Sequence, residues 1–358
     1  MLGKKNVLIM IPSLNVAGAE KFVVDLAINL DKTLFNVTVG ILFNNKKTYY
    51  FELLEQNNIK IFDFSGKNKL NILKNINNYF KNNKIDILHT NLNTILYTMF
   101  FVKKYKIEKR IFTFHSTADR IDANLKKKLY KYAFQKLNFI PVSISDFIKG
   151  TVIKEFKLNP CNVECVYNGV NINNFYYVEK NIIEPIQLIN VGTLYYIKNQ
   201  QLLINAVRKL IDRGHNVKLT IVGDGKMREE LTSLVSELKL EDYVEFVGVV
   251  SNVKDYLNDA DIYCCSSLVE GLPIAVLEAM ACGLPVVTTN AGGIVDIVFN
   301  GVNGIIVKDF NIKSYVEAIE YLLKNKNIIK EYGIGSRKIT EKLTIENCAR
   351  SYESIYLK

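Results

Sequence analysis

The chain has 358 residues, 49% of them hydrophobic, which is enough apolar material for two domains that each bury a core. Its 46 basic and 36 acidic residues give a formal net charge of +10, but no nucleic-acid-binding motif accompanies this excess, so nucleic acid is not an expected partner. No apolar run is long enough to span a bilayer and the apolar stretch near the start is too short for a secretory signal, which predicts a cytoplasmic protein.

The six cysteines predict reduced thiols and not a metal site or a disulfide framework. No CxxC motif and no histidine pair accompanies them. Cys264 and Cys265 are adjacent on one predicted strand and therefore face opposite sides of it.

The first half of the chain alternates short apolar runs with amphipathic segments. The runs predict strands at 6–11, 37–42, 59–62, 85–89, 110–114 and 139–143. The segments predict helices at 20–30, 48–56, 70–82, 94–104, 124–134 and 145–156, the last of them capped by Ser145. This alternation is typical of a doubly wound parallel sheet, whose ligands lie at the carboxyl ends of the strands. Gly18, His89 and His115 all fall at such strand ends.

Lysines are concentrated between positions 103 and 136, where they are interleaved with aromatic and aliphatic residues such as Phe100, Leu125 and Tyr132. This pattern suits binding to an anionic membrane surface, which would place the protein at the inner face of a membrane. It equally suits amphipathic helices with solvated faces. Both interpretations stay open at this point.

A polar stretch without periodicity, 171–185, separates two halves of the chain. A second alternation follows, with strands predicted at 186–191, 217–222, 244–247, 261–265 and 286–289 and a hairpin or strand turn at 302–307. Helices are predicted at 200–212, 227–239, 274–281, 312–324 and 338–356. We therefore expect an N-terminal domain at 1–175, a linker at 176–185, a C-terminal domain at 186–337 and a final helix at 338–358.

The stretch 266–285 has the pattern of a loop, a helix start and a helix that ends on a glycine and a proline. Gly271 gives the backbone freedom at the turn, and Pro273 suits the first helical turn. The N–H groups at such a helix start point past the end of the preceding strand and can hold an anion such as a diphosphate, which makes Leu272, Pro273 and Ile274 candidate donor-binding residues.

Two carboxylates bracket this helix start. Glu270 lies just before it, and Glu278 lies five residues beyond Pro273, about 7.5 Å along the helix axis. Ionised carboxylates accept hydrogen bonds, so a ribose near Glu278 and a sugar near Glu270 would both find suitable partners. The alternative is that Glu270 is a solvated loop acid and Glu278 is a surface residue; a buried Glu278 would need a partner.

The string E-G-L-P-I-A-V-L-E-A-M-A-C-G-L-P-V-V from Glu270 resembles the E-x7-E signature of the retaining glycosyltransferases of family 4. The resemblance covers nearly the whole chain. It implies a GT-B fold, with two doubly wound Rossmann-like domains that face each other across a cleft, and a final helix at 338–358 that crosses back to the first domain. It also implies a nucleotide-sugar donor, for which we expect a UDP-sugar, and no metal requirement.

Further strings carry this resemblance in both halves. G-T-L-Y-Y-I-K-N at 192–199 is similar to the family's V-G-R-L-x-x-x-K-N, which makes Lys198 the lysine that clamps the diphosphate. Thr193 stands where many members have arginine, and Arg228 is a candidate substitute. A-G-A-E at 17–20 is similar to G-G-x-E, so Gly18 is kept as a donor-binding residue while Ala17 replaces a glycine. N-A-G-G-I-V-D at 290–296 resembles the family's G-G-x-x-E loop, with Asp296 in place of the glutamate.

The resemblance assigns roles to the strand-end residues as well. It implies that His115 faces the donor sugar, that Gly223 lines the cleft and that the backbone near Val249 contacts the base. His89 is a weaker candidate for the acceptor side. Asp259 and Asp261 form a D-x-D pattern that binds a divalent metal in other glycosyltransferases, but they are expected to be structural here.

The expected catalytic set is His115, Lys198 and Glu270, and the expected donor-binding set is Gly18, Thr193, Gly223, Val249, Gly271, Leu272, Pro273, Ile274 and Glu278. The acceptor implied by the family is a glycan or lipid-linked sugar of a bacterial surface polysaccharide or glycolipid. A nucleotide-sugar epimerase of similar fold and a non-catalytic subunit remain alternatives. A glycosidase fits less well, because its two carboxylates flank one bond and do not bracket a phosphate-binding helix.

Overall fold

The computed structural model describes residues 3–43, 48–121 and 123–358. The chain divides into two compact units, one formed by residues 1–168 with 345–358 and the other by 169–344. Each unit is described on its own. None of the helices in the described residues is both long and apolar enough to cross a bilayer.

The described part of the first unit holds a seven-stranded parallel sheet in the order β3-β2-β1-β4-β5-β6-β7. Its strands β1 to β7 are Lys5–Ile11, Phe35–Ile41, Lys60–Asp63, Ile87–Asn91, Lys109–Phe114, Ile140–Ser143 and Glu164–Cys165. The central strands are buried along most of their length because helices cover both faces, which explains their near-continuous apolar sequences.

Helices α1 to α6 of this unit are Gly18–Asn29, Tyr49–Gln56, Lys69–Asn82, Ile95–Thr98, Asn124–Lys136 and Asp146–Phe156. The predicted cap of α6 is confirmed, since Ser145 Oγ accepts a hydrogen bond of 3.2 Å from the amide of Ile148. The helix predicted at 94–104 is wrong in extent. After one turn, the chain passes through successive turns to Lys106, whose φ of 49° lets Ile107 donate to the carbonyl of Val102 and enter β5.

The predicted helix at 338–356 is two helices. The first is α12, Lys326–Thr340, in the second unit, and the other is α13, Ile345–Leu357, which packs into the first unit. Two buried tyrosines hold α13 there: Tyr356 Oη lies 2.6 Å from His89 Nδ1, and Tyr352 Oη lies 2.9 Å from Thr113 Oγ1.

The second unit contains a six-stranded parallel sheet in the order β10-β9-β8-β11-β12-β13. Strands β8 to β13 are Ile186–Val191, Val217–Val222, Val244–Gly248, Ile262–Cys265, Val286–Thr289 and Gly304–Val307. Helices α7 to α11 are Gln200–Asp212, Arg228–Glu237, Val253–Asp259, Ile274–Ala281 and Ile312–Lys324. The hairpin alternative at 302–307 is excluded, because β13 runs parallel to β12.

Residues 176–185, predicted as a linker, pack against the second unit. Lys180 Nζ donates hydrogen bonds to the carbonyls of Leu257 and Ala260 at the end of α9.

Both sheets are parallel and doubly wound, which confirms the predicted fold class for each unit. In each sheet the strand order reverses at one point, between β1 and β4 in the first and between β8 and β11 in the second. Ligands of such sheets bind outside the strand ends at these reversals.

Candidate active site

In the second unit, the loops that leave the two strands at the reversal bring Lys198 and Glu270 together. Lys198 closes the loop after β8, and Glu270 closes the loop after β11. The Lys198 Nζ lies 2.6 Å from Glu270 Oε1, although 72 residues separate them in sequence. The two side chains are 23% and 10% exposed, respectively, so the ion pair is largely sheltered from water. The interpretation of Glu270 as a solvated loop acid is therefore wrong.

The Glu270 carboxylate keeps the Lys198 ammonium group protonated. Burial alone would lower the pKa of the ammonium group, but the adjacent Glu270 carboxylate outweighs burial and raises that pKa above its ordinary value. Ser267 Oγ donates a second hydrogen bond of 2.6 Å to the same Oε1 atom of Glu270. Within the described chain, Glu270 Oε2 makes no further hydrogen bond, so it can accept one from a ligand hydroxyl.

Backbone contacts fix the positions of both partners. Ser266 Oγ donates to the carbonyl of Lys198 at 2.8 Å, and Leu268 N donates to the carbonyl of Ile197 at 2.8 Å. Thr289 Oγ1, at the end of β12, donates to the carbonyl of Ser267 at 2.6 Å. The loops after three neighbouring strands are therefore tied together at this point.

The loop after β12 also approaches Glu270 closely. Glu270 N donates to Ala291 O, and Gly293 N donates to Glu270 O, both at 3.2 Å. Gly292 has φ +68°, and a Cβ there would lie 2.3 Å from Glu270 O. Only glycine fits at this position, which gives the predicted G-G-x-x-E-like loop a role: it holds the backbone of Glu270.

The predicted helix start is confirmed as α10, which begins after Pro273. Pro273 has extended backbone angles and its carbonyl accepts from the amides of Val276 and Leu277. The first N–H groups of an α-helix have no intrahelical acceptors, and binding of an anion at this end of α10 stays a prediction. Glu278 is only 6% exposed within this buried helix, so the interpretation of Glu278 as a surface residue is wrong.

Glycines allow the loops after β8, β9 and β10 to stack closely. A Cβ at Gly223 would lie 2.0 Å from Gly192 O, and one at Gly225 would lie 2.4 Å from Leu194 O. Gly223 N also donates to Gly248 O at 2.8 Å. The weak G-x-G signal at 223–225 thus marks the packing of the loop that carries Thr193 and Lys198.

The remaining predicted donor residues lie on this side of the same sheet. Thr193 O accepts a hydrogen bond of 3.2 Å from Gln200 at the start of α7. Val249 follows β10 and is 61% exposed. Arg228, the candidate replacement for the arginine absent at Thr193, places its guanidinium 5.0 Å from the ring centre of Phe246 and donates to the carbonyl of Phe246. Its role in donor binding stays a prediction.

In the first unit, Gly18 is exposed at the start of α1, after β1. Ala17, which replaces a family glycine, has φ −151° and is therefore unstrained. His89 lies in the core and is fully buried; its two ring nitrogens lie within hydrogen-bonding distance of Tyr356 and Thr113. Burial lowers the pKa of His89 to about 3. This geometry attaches α13 to the sheet, and an acceptor-side role for His89 stays a prediction.

His115 lies at the edge of a cavity of about 320 Å³ at the carboxyl end of β5. Its ring is half-buried, with Nε2 placed 2.8 Å from Asn91 Oδ1 and its face against Phe22, 5.0 Å between ring centres. Burial lowers the pKa of this imidazole to about 3, so the ring is neutral at physiological pH.

The D-x-D pair has separate surroundings. Asp261 is buried, and its Oδ2 accepts a hydrogen bond of 2.8 Å from the amide of Gln187, whereas Asp259 is exposed at the end of α9. Across residues 3–43, 48–121 and 123–358, no cluster of three or more potential acidic, histidine or cysteine ligands is formed. The expectation that no metal is required stays a prediction.

Sequence reasoning gave no role to four residues that hold candidate site residues in place: Asn91, Ser267, Thr289 and Gly292, the last of which it placed only in the G-G-x-x-E-like loop. Asn91 and Thr289 are the last residues of their strands, and Ser267 follows one. Polar residues at strand ends near an order reversal could have identified three of them. Their partners could not be identified in this way, because each contact joins distant parts of the chain.

Comparison with known proteins places this geometry in context. A family model described as Glycosyl transferases group 1 matches residues 178–338, and one described as Glycosyltransferase Family 4 matches residues 16–174. Among solved structures, that of Anabaena Alr3699/HepE in complex with UDP and glucose superposes with a TM-score of 0.85, at 18% identity and over 98% of each chain.

Several curated relatives match more closely in sequence. An uncharacterized glycosyltransferase of Methanocaldococcus jannaschii, MJ1607, is 32% identical over 60% of this chain and 59% of its own length. The N-acetyl-alpha-D-glucosaminyl L-malate synthase of Bacillus anthracis is 25% identical over 89% of this chain and 87% of its own length. The N-acetylgalactosamine-N,N'-diacetylbacillosaminyl-diphospho-undecaprenol 4-alpha-N-acetylgalactosaminyltransferase of Campylobacter jejuni is 28% identical over 51% of this chain and 50% of its own length.

The two family models together match most of the chain, one in each half, and the fold agrees with both. The chain therefore belongs to the glycosyltransferases of the family 4 and group 1 type, which have the GT-B fold.

Proposed function

We propose that the protein is a retaining glycosyltransferase that moves a sugar from a UDP-sugar to a hydroxyl of a glycan or lipid-linked acceptor. The observation that carries the proposal is the Lys198–Glu270 pair at the sheet reversal beside the start of α10. A fixed cation and a helix N-terminus suit a diphosphate. A carboxylate with an open oxygen suits the hydroxyl groups of a sugar.

In this proposal the diphosphate binds to the turn Gly271–Leu272–Pro273–Ile274 and to Lys198. Glu278 accepts hydrogen bonds from the ribose, and the backbone near Val249 contacts the base. Glycines 223 and 225 support the arrangement because they let the Lys198 loop pack against the loop after β9. Glu270 orients the sugar once the diphosphate shares the Lys198 donors, and His115 contacts a substrate hydroxyl.

Transfer with retention requires little covalent chemistry from the protein. The acceptor oxygen attacks the anomeric carbon on the face from which the diphosphate leaves, and the bond between that carbon and the phosphate oxygen breaks. The departing phosphate oxygen takes the proton of the acceptor hydroxyl. Lys198 and the N–H groups that open α10 stabilise the negative charge that develops on the diphosphate, while Glu270 holds the sugar in place.

The choice of donor and acceptor draws on two relatives. The HepE structure holds UDP and glucose, and the Campylobacter relative is named for transfer of N-acetylgalactosamine to a diphospho-undecaprenol-linked acceptor. We accordingly propose a hexose or N-acetylhexosamine as the transferred sugar, and synthesis of a bacterial surface polysaccharide or glycolipid as the setting.

A membrane-bound acceptor would be reached at the inner face of a membrane, and the first unit has a surface that fits this proposal. Phe100, Leu125 and Tyr132 are 63%, 68% and 48% exposed, and exposed lysines including Lys126 and Lys128 lie near them in sequence. Lys127 is less available because it pairs with Glu155 at 2.8 Å. Apolar side chains among cations favour an anionic lipid surface.

Binding of the protein to vesicles with anionic lipid, but not to neutral vesicles, would support the proposed membrane contact. The double variant Lys126→Glu with Lys128→Glu should abolish that binding.

Transfer assays with a panel of sugar nucleotides and lipid-linked acceptors, read by mass spectrometry, test the proposal. Glycosylated product that retains the donor's anomeric configuration is expected. An isomerised sugar nucleotide from donor alone would instead indicate an epimerase. Failure of every donor to bind or turn over would favour a non-catalytic subunit and refute the proposal.

A further inference from the structure

Asn91, the last residue of β4, lies at the strand reversal of the first sheet and is fully buried. Its side-chain amide has a fixed orientation. Met10 O, at the end of β1, accepts a hydrogen bond of 3.2 Å from Asn91 Nδ2. A backbone carbonyl can only accept, so the amide nitrogen must face Met10 and the amide oxygen must face the other way.

The amide oxygen of Asn91 lies 2.8 Å from His115 Nε2. This oxygen cannot donate a hydrogen bond, so His115 Nε2 must carry the hydrogen. Burial lowers the pKa of the ring to about 3, which excludes a second proton at neutral pH. His115 Nδ1 is therefore an unprotonated acceptor.

Within the described residues, no protein group occupies His115 Nδ1 with a hydrogen bond. The ring borders the 320 Å³ cavity, whose wall also includes Ser116, Thr117 and Tyr130. Phe22 packs edge-on against the ring and limits its rotation. The titratable groups around it include His89 and Tyr352, which lie beyond Phe22, and Tyr130, which lines the same cavity, and burial keeps these three groups neutral.

We infer that Asn91 is a positioning residue that locks His115 as the Nε2–H tautomer, so that His115 Nδ1 accepts a hydrogen bond from a substrate hydroxyl. The inference deepens the proposed function and rests on it for the substrate. It adds a selectivity: a sugar with a hydroxyl at the contacted position is accepted, because that group can donate. A sugar with a carboxylate there is rejected, because two acceptors would face each other.

The tautomer can be measured without any substrate. The chain has three histidines, so side-chain ¹⁵N NMR spectra of the labelled protein are simple, and His115→Gln assigns the signal. We expect a protonated Nε2 and an unprotonated Nδ1, unchanged between about pH 8 and pH 5. An Nδ1–H tautomer, or a midpoint near the ordinary histidine value, would overturn the inference from the wild-type spectrum alone.

Two variants test the function of Asn91. In Asn91→Leu the shape is nearly kept but the acceptor is lost, so a mixture of His115 tautomers should appear. In Asn91→Asp a carboxylate faces the ring, so the pKa of His115 should rise into the measurable range. Both changes should show in the NMR spectra of the folded variants.

The selectivity is measured by comparing kcat/KM for a neutral UDP-sugar with that for the matching UDP-sugar carrying a carboxylate. Wild type should prefer the neutral donor, and Asn91→Asp should shrink that preference by about tenfold or more at low pH, where a charged His115 can donate to the carboxylate. A purely structural Asn91 would lower both rates equally and leave the ratio unchanged. If no donor is turned over, the proposed function fails, whereas the NMR result still decides the tautomer.

Discussion

Replacement of Lys198 by methionine removes a charge and three hydrogen-bond donors while keeping an unbranched stem of similar length. In the present structure that charge lies 2.6 Å from Glu270 Oε1 and has 23% side-chain exposure. The proposed mechanism assigns it to the leaving diphosphate. The substitution should therefore act on the step in which negative charge develops, and less on the folding of the loop, because Ser266 Oγ and Leu268 N still donate hydrogen bonds to carbonyls of that loop.

Loss of one preorganised donor to a developing oxyanion costs about 100- to 1000-fold in kcat, or about 3–4 kcal/mol, and we expect Lys198→Met to fall in this range. The cost in stability should be smaller. Removing one partner of a fully buried pair costs about 3–5 kcal/mol, but this pair is partly exposed and Ser267 still donates to Glu270, so about 1–2 kcal/mol is expected.

The assay is release of UDP from a turned-over UDP-sugar, with acceptor or by slow hydrolysis, beside urea unfolding of the same preparations. Lys209→Met is the matched control, because Lys209 is exposed on α7 and lies more than two turns beyond the start of that helix. The control should behave as wild type in both measurements. Turnover by folded Lys198→Met equal to that of wild type would refute the assignment of this lysine to the leaving group.

Three further substitutions probe the support of the site. Ser267→Ala removes the second hydrogen-bond donor to Glu270. It should lower kcat about tenfold, which corresponds to about 1.4 kcal/mol in the activation free energy, and leave stability nearly unchanged. An unaltered kcat would mean that Ser267 does not orient Glu270. Gly223→Ala should weaken UDP binding by calorimetry, because the added Cβ would meet Gly192 O. Gly214→Ala is the control, because Gly214 also has a positive φ, 82° against 132°, but has open space around it, and this variant should bind UDP normally. Equal affinities of the two variants would contradict the packing argument. Burial of neutral His89 favours folding above its unfolded pKa near 6.5, and this contribution to stability is lost as the pH falls towards about 3. His89→Gln should therefore reduce the fall in unfolding free energy between about pH 7.5 and pH 5 by about 2 kcal/mol. An unchanged fall would show that His89 titrates normally in the folded protein.

Local signals were sufficient for most of the secondary structure. Segments such as 186–191, 200–212 and 274–281 were predicted to the residue, because a buried strand, a strongly amphipathic helix and a helix ended by glycine all leave clear patterns. The helix predicted at 94–104 was wrong because periodicity continues through residues that turn back towards β5. The buried residues Met99 and Val102 follow a helical spacing without lying in one helix.

The functional residues divide in a similar way. Glu270, Glu278 and Lys198 were found because their strings resemble a family pattern, and the position of Pro273 before α10 followed from turn chemistry. The contact between Lys198 and Glu270 required the tertiary structure, since it depends on β8 and β11 being neighbours in the sheet. The histidines show the same limit: both end or follow strands, yet the structure places His89 in the core and His115 beside a cavity.

A crystal structure of the protein with UDP bound is the measurement that tests the central claim most directly. The account predicts diphosphate oxygens about 3 Å from Lys198 Nζ and from an amide at the start of α10, with a ribose hydroxyl donating to Glu278. A diphosphate bound away from α10, with Lys198 still held by Glu270 alone, would contradict it.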